Sequence, residues 1–203
     1  MEGFDRFTDF LSSIVTTVLP RLKALLGEWV DLSCTFDKRV AITVELPALE
    51  WLRRFLRSKF RSARHVWSED TSRSSVATFL KRHNLTSHVP WWATLDIAVD
   101  VTGAALLSTC SGREVLRLAI VEVKMHTINL RDLSQVVGYA KVVLPDFAFI
   151  ISPKGWSESL HRLIRDFGRV NVLEYAPKRK VIVSKWDMVS QSVRAGDVLI
   201  PID

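Results

Sequence analysis

Cysteine is nearly absent. Two, Cys34 and Cys110, occur in 203 residues, too few for a disulfide framework or for a cysteine-built zinc site. The five histidines, His65, His83, His88, His126 and His161, show no metal-ligand spacing. Eight glycines and seven prolines exclude a collagen-like or low-complexity chain, and no internal repeat is visible. Long hydrophobic runs are missing too. The longest uncharged run near the start, Phe10 to Pro20, falls far short of the roughly 20 residues of a spanning helix. A positive leader region is also lacking, because Glu2, Asp5 and Asp9 stand in its place. No membrane association is expected. The expected location is the cytoplasm, with both cysteines reduced.

What the chain does have is a core and an excess of positive charge. Apolar residues make up 48% and charged residues 25%, which suits one globular domain with a modest extension. The net charge of +6 is unevenly placed. Arg53, Arg54, Arg57, Lys59, Arg61 and Arg64 follow one another with no acid between them, so this segment alone accounts for the excess. A charge run is usually a solvated face, but the lack of any compensating acid favours an anionic partner. Arginines outnumber lysines 18 to 10, and the guanidinium is the better bidentate partner for phosphate. These six residues are the expected DNA-binding face.

Residues 1–30 carry apolar side chains at a helical period, broken at Pro20. Residues 34–46 read as a strand or hairpin, and Pro47 as the first residue of a helix running to about Arg61. On that helix Trp51, Leu52, Phe55 and Leu56 share one face, and Arg54, Arg57, Arg61 and Arg64 fall on the other. Residues 68–72 read as a polar break, followed by a helix over about 74–83. A strand is expected over Ala93–Thr102, a turn region from Gly103, and an apolar strand over Leu116–Lys124. A helix over Leu130–Val143 starts at the N-cap Asn129. Phe147–Ile151 is a short, wholly apolar strand, and a helix over Ser157–Phe167 closes at Gly168. Two more strands are expected over Val170–Tyr175 and Lys180–Lys185. The order gives a mixed α/β fold, without the strict alternation of a doubly wound one. Two domains are expected: a mostly helical extension over residues 1–65 and a core over 66–203.

The informative residues are charges inside apolar strands. Glu122 and Lys124 are two apart near the end of one strand, so they share a face, while Val121 and Val123 pack on the other. In the preceding segment, Asp96 and Asp100 also fall on one face if it is a strand. Two carboxylates and a lysine suit metal-assisted phosphodiester hydrolysis. The carboxylates would hold Mg²⁺, a bound water would become more acidic, and the lysine would stabilise developing charge.

Leu95-Asp96 followed by Glu122-Val123-Lys124 resembles the PD-(D/E)XK nuclease superfamily, with Leu95 in place of the motif's proline. Gln135 and Tyr139, four apart on one helix face, resemble the QxxxY pattern of the RecB-like branch. The resemblance spans about residues 68–175 and implies a restriction-endonuclease-like core. It also implies a Mg²⁺-dependent deoxyribonuclease, in all expectation an endonuclease, with Mn²⁺ as a substitute ion. Asp96 and Glu122 would bind the metal, with the Val123 backbone carbonyl as a further ligand. Glu69, with Asp70 second, would be an additional acid, and Asp100 would be a metal ligand in place of Asp96 or else a charge at a strand's end. Lys124 would be the catalytic lysine, and Gln135 and Tyr139 would hold the site or touch DNA. A homodimer formed through the N-terminal extension would suit cutting of two strands. The alternative is a catalytically weak or inactive nucleic-acid-binding protein on the same fold.

Overall fold

The computed structural model describes residues 32–201. The helix expected over residues 1–30, and the dimer contact expected of it, lie outside these residues. The chain divides into two compact units, Met1–Lys38 and Arg39–Asp203, and the sheet belongs to the second. Among the described residues the fold is mixed α/β, with six strands and four α-helices. No helix among them is long and apolar enough to cross a membrane.

The first helix, α1, spans Leu32–Lys59 with Pro47 inside it. This corrects the strand expected over residues 34–46 and the helix start expected at Pro47. Val44, Ala48, Trp51, Leu52 and Leu56 are all buried. Their spacing of three and four continues one helical face through the proline. Burial of that face outweighs both the β-branched residues before Pro47 and the backbone hydrogen bond its ring removes, a local cost of about 3 kcal/mol.

Strand β1 (Ala63–Asp70) pairs antiparallel with β2 (Val101–Ser108), and β2 pairs antiparallel with β3 (Glu114–Val123). Helix α2 (Val76–Arg82), capped by the Ser75 hydroxyl, lies between β1 and β2 in the chain. Helix α3 (Leu130–Val143) carries β3 to the parallel strand β4 (Phe147–Ser152). Asn129 and Asp132 form a reciprocal capping box at its start. The short helix α4 (Glu158–His161) runs into a wider turn over Arg162–Asp166. The hairpin β5 (Glu174–Ala176) and β6 (Arg179–Lys185) then completes the sheet, with β6 parallel to β4. The sheet order is β1-β2-β3-β4-β6-β5.

Helix α1 covers one face of this sheet. Trp51 meets Phe149 and Trp186 edge-on, at ring centroids 5.1 and 5.9 Å apart, and Phe55 meets Phe147 at 5.0 Å. The other face holds the larger core, with Phe79 and Leu80 of α2, Leu133, Val136 and Ala140 of α3, and Leu160 of α4. Alternation along β3 sends Ala119, Val121 and Val123 to α1, and Leu118 and Ile120 to the other side. The basic helix is therefore a layer of the core.

Three expectations about the middle of the chain change. Residues 68–70 belong to β1, not to a break. Gly103 lies inside β2, where a Cβ would sit 2.7 Å from the Leu52 Cδ2 atom. Glycine is needed there because α1 presses directly on the strand. The strand begins at Val101, not Ala93. Backbone carbonyls of Leu95 and Ile97 instead accept hydrogen bonds from Ala77 and Val76 at the start of α2, which satisfies orphan amides of that helix. Residues 170–173 form a 3₁₀ turn, and strand structure begins only at Glu174. Trp91 is 45% exposed, and Trp92 packs against the larger core.

Candidate active site

The site gathers where β2 begins and β3 ends. Val101 pairs with Val121, so the residue before β2, Asp100, lies against the last residues of β3. Its carboxylate accepts the Val123 backbone N–H at 2.6 Å, and its own carbonyl accepts the Thr71 N–H at 3.0 Å. Glu122 is a buried carboxylate in the apolar second half of β3, on the face turned to α3. Lys124 donates to Glu122 Oε1 at 2.9 Å and to Gln135 Oε1 at 3.3 Å. Gln135 in turn donates to the Tyr139 hydroxyl at 2.7 Å. The two-residue period of β3 and the four-residue step of α3 thus meet in one hydrogen-bonded row.

Burial, and then the charge of Glu122, push Asp100 up to about 7. The Val123 N–H and Lys124 oppose that rise, and Asp70 adds to it. Lys124 is raised from its ordinary value. Burial alone would lower it, but the hydrogen bond Lys124 donates to Glu122 and the charges of Glu122, Asp100 and Asp132 prevail. The lysine is therefore held charged, while two carboxylates compete for too little positive charge.

Several expected residues converge: Glu122, Lys124, Gln135 and Tyr139, with Asp100 as the facing acid. Asp96 is not among them. It is exposed, on the non-strand segment bound to the start of α2. The alternation that placed Asp96 and Asp100 on one strand face fails because that segment is not a strand. Glu69 is also elsewhere. It lies on β1, where Arg82 and His83 engage its carboxylate.

The six basic residues do not form one stripe beside the site. Helix α1 ends at Lys59, so Arg61 lies in the following turn and Arg64 on β1. Arg53 is half-buried and paired with Glu50 at 3.7 Å. The helix also points away from the carboxylates. Phe60 packs on Phe147, the first residue of β4, and Arg64 faces Glu114, the first residue of β3, at 4.0 Å. Eight residues of β3 separate Glu114 from Glu122, about 26 Å at 3.3 Å per residue.

Sequence reasoning missed one group near the row, Asp132. Asp132 accepts the Asn129 N–H at 2.9 Å and holds His126 at 3.0 Å, and its charge acts on Lys124. The capping pattern places Asp132 in the first turn of α3, but only the fold brings that turn to Lys124. Asp70, the second choice after Glu69 for the additional acid, does lie near the row: β1 ends beside β2, and the charge of Asp70 acts on Asp100.

Among the described residues no group of three or more His, Cys, Asp or Glu side chains is placed to hold a metal ion. The donor set at the site is two carboxylates with nearby backbone carbonyls. That fits an ion such as Mg²⁺, which takes one or two carboxylates and completes its shell with water and substrate phosphate. Two crevices lie elsewhere. One, of about 510 Å³, is lined by Trp91, Arg117, Leu144 and Arg179 near the start of β3. The other, of about 200 Å³, lies between Phe147, Leu173 and β6.

No family model matches the chain, and no curated protein matches it in sequence.

Proposed function

We propose that the protein is a metal-dependent DNA nuclease of the PD-(D/E)XK type, RecB-like in its helix motif, on a restriction-endonuclease-like core. The observation that carries this reading is the convergence of Asp100, Glu122 and Lys124 at one end of the sheet, with Gln135 and Tyr139 behind them. The first acid of the motif is then Asp100, not Asp96. Asp100, Glu122 and the Val123 carbonyl would hold Mg²⁺ or Mn²⁺. When bound, such an ion lowers the pKa of a coordinated water and offsets charge on the scissile phosphate.

The protein's own residues supply the rest. The Val123 N–H and the Thr71 N–H fix the carboxylate and carbonyl of Asp100, so its orientation is set before substrate arrives. Lys124, held charged beside Glu122, places a positive charge where the phosphate gains negative charge. Gln135 fixes the lysine's ammonium from the α3 side, and Tyr139 fixes Gln135. Asp132 adds negative charge that keeps Lys124 protonated.

The test is nicking of plasmid and branched DNA by purified protein with Mg²⁺ or Mn²⁺. Wild-type protein should cut, and Lys124→Ala and Glu122→Gln should not, while DNA binding persists in both. Binding without cutting by the wild-type protein would favour a non-catalytic nucleic-acid binder instead.

A further inference from the structure

The parallel strands β3, β4 and β6 end together. Val123 is in register with Ile151, Ile151 with Ser184, and Ser152 with Lys185. The Lys124 N–H reaches the Ile151 carbonyl at 2.8 Å, and the Trp186 N–H reaches the Ser152 carbonyl at 2.9 Å. The loops after β4 and β6 therefore share the carboxylates' edge of the sheet. At about 4.8 Å per strand, β6 lies about 10 Å from β3.

These loops are held firmly. Ser152 accepts the Lys154 N–H on its hydroxyl at 3.0 Å and the Gly155 N–H on its carbonyl at 3.1 Å. Its hydroxyl also donates to the His126 carbonyl at 2.7 Å. Gly155 takes φ +68°, and a Cβ there would touch the Lys185 stem at 3.8 Å. Lys154 and Lys185 are thus neighbours. Both are exposed, and neither makes an ion pair among the described residues.

The loop after β6 is anchored by the buried Trp186. Its base is closed by backbone hydrogen bonds between Asp187 and Ser192 at 3.0 and 3.4 Å. The Asp187 carboxylate accepts the Val189 N–H at 3.0 Å and the Ser190 hydroxyl at 2.6 Å, and pairs with Arg194. The result is a braced tip that presents Met188, 44% exposed, and Val189, 92% exposed, to solvent. Isolated exposed apolar residues are ordinary. A braced apolar pair on the same edge of the sheet as two exposed lysines and the carboxylates is a combination with a chemical use. Lysines suit phosphates, and apolar side chains wedge against an opened base step.

We propose that this loop pair seats an interruption in duplex DNA: Lys154 and Lys185 contact the phosphates, and Met188 and Val189 pack against the exposed base step. The proposal rests on the nuclease reading and narrows its substrate to nicked, flapped or branched duplexes.

The test measures binding of linear, flapped and single-stranded DNA to the full chain in EDTA, at several salt concentrations. Wild-type protein should prefer the flapped duplex. Lys154→Ala with Lys185→Ala should weaken both duplexes alike and reduce the log–log salt slope by about 0.9 per lysine. Met188→Ser with Val189→Ser should keep that slope and erase the preference. Equal affinity of the wild type for flapped and linear duplex, an unchanged slope in the lysine variant, or a preference surviving the serine variant would each overturn the proposal. Cleavage with Mg²⁺ is measured in parallel. Loss of cutting with these binding results intact sinks the nuclease reading, and intact cutting with no flap preference sinks the loop proposal.

Discussion

The two ends of the central sheet differ in kind. At the end where β3, β4 and β6 finish, carboxylates are partly or fully buried, hydrogen-bonded and short of positive charge. At the other end, where β3 and β4 begin, Arg57, Lys59, Arg61 and Arg64 stand exposed around the last turn of α1 and the first residues of β1. Burial makes the difference. A charge costs little to keep in water, so the arginines need no partner and no fixed geometry. A buried carboxylate persists only where hydrogen bonds and neighbouring charges hold it, so its position is specified by the fold. Under the nuclease reading, the first end holds the chemistry and the second adds only affinity.

The sharpest way to break this division is to neutralise each end in turn. Lys124→Ala should reduce Mg²⁺-dependent cleavage by about 10²–10³-fold, the usual scale for losing a group that stabilises developing charge. Asp100→Asn should behave similarly, whereas Asp96→Asn should leave the rate within about twofold, as befits an exposed side chain outside the site. Single-turnover rates on one oligonucleotide substrate would check all three. A large loss in the Asp96 variant would return that residue to the site.

Next comes the layer that joins the two ends. Gly103→Val should destabilise the protein by about 1–3 kcal/mol, because the added side chain strikes Leu52 and Leu56 under α1. Chemical denaturation would measure it. An unchanged midpoint would mean that α1 does not lie on β2 as described.

The third prediction uses pH. The folded state raises Asp100 from 3.8 to about 7, so the folded chain binds this proton more tightly than the unfolded chain. Its contribution to stability is complete below about pH 4 and is lost as the pH rises through about 7. In metal-free protein, Asp100→Asn should therefore match the wild type near pH 4 and exceed it at pH 8 by up to about 4 kcal/mol. Added Mg²⁺ should narrow that gap by stabilising only the wild type. Thermal melts at the two pH values, with and without Mg²⁺, decide the matter, and parallel curves for the two proteins would contradict the shift.

The smallest effect belongs to the basic end. Arg57→Ala with Arg61→Ala should weaken binding only to duplexes long enough to span the about 26 Å between the ends, roughly eight base pairs at 3.4 Å each. Equal weakening on a six-base-pair duplex, measured at one salt concentration, would place those arginines next to the site after all.

Much of this protein follows from local pattern. Glu122 and Lys124 stand out in an apolar run, and the two-residue period alone puts them on one face. Gln135 and Tyr139 follow from the helical step, and α3 from Asn129 and Asp132. Each of these depends on neighbours a few residues away, which a sequence displays directly. Other features depend on partners far along the chain. Nothing local separates Asp96 from Asp100; the backbone carbonyls of Leu95 and Ile97 are drawn to the start of α2, and only that contact delays the strand until Val101. Nothing local makes Gly103 a strand residue rather than a turn; the pressure of Leu52 does. The β-branched run before Pro47 favours a strand on propensity, yet it is helical, continuous with the face of Val44, Ala48, Leu52 and Leu56 that packs on the sheet. The basic run is plain in the sequence, but its distance from the carboxylates is set by how α1 crosses the sheet. Residue type and short spacing thus determine which groups can do chemistry, while packing between distant segments decides which of them meet.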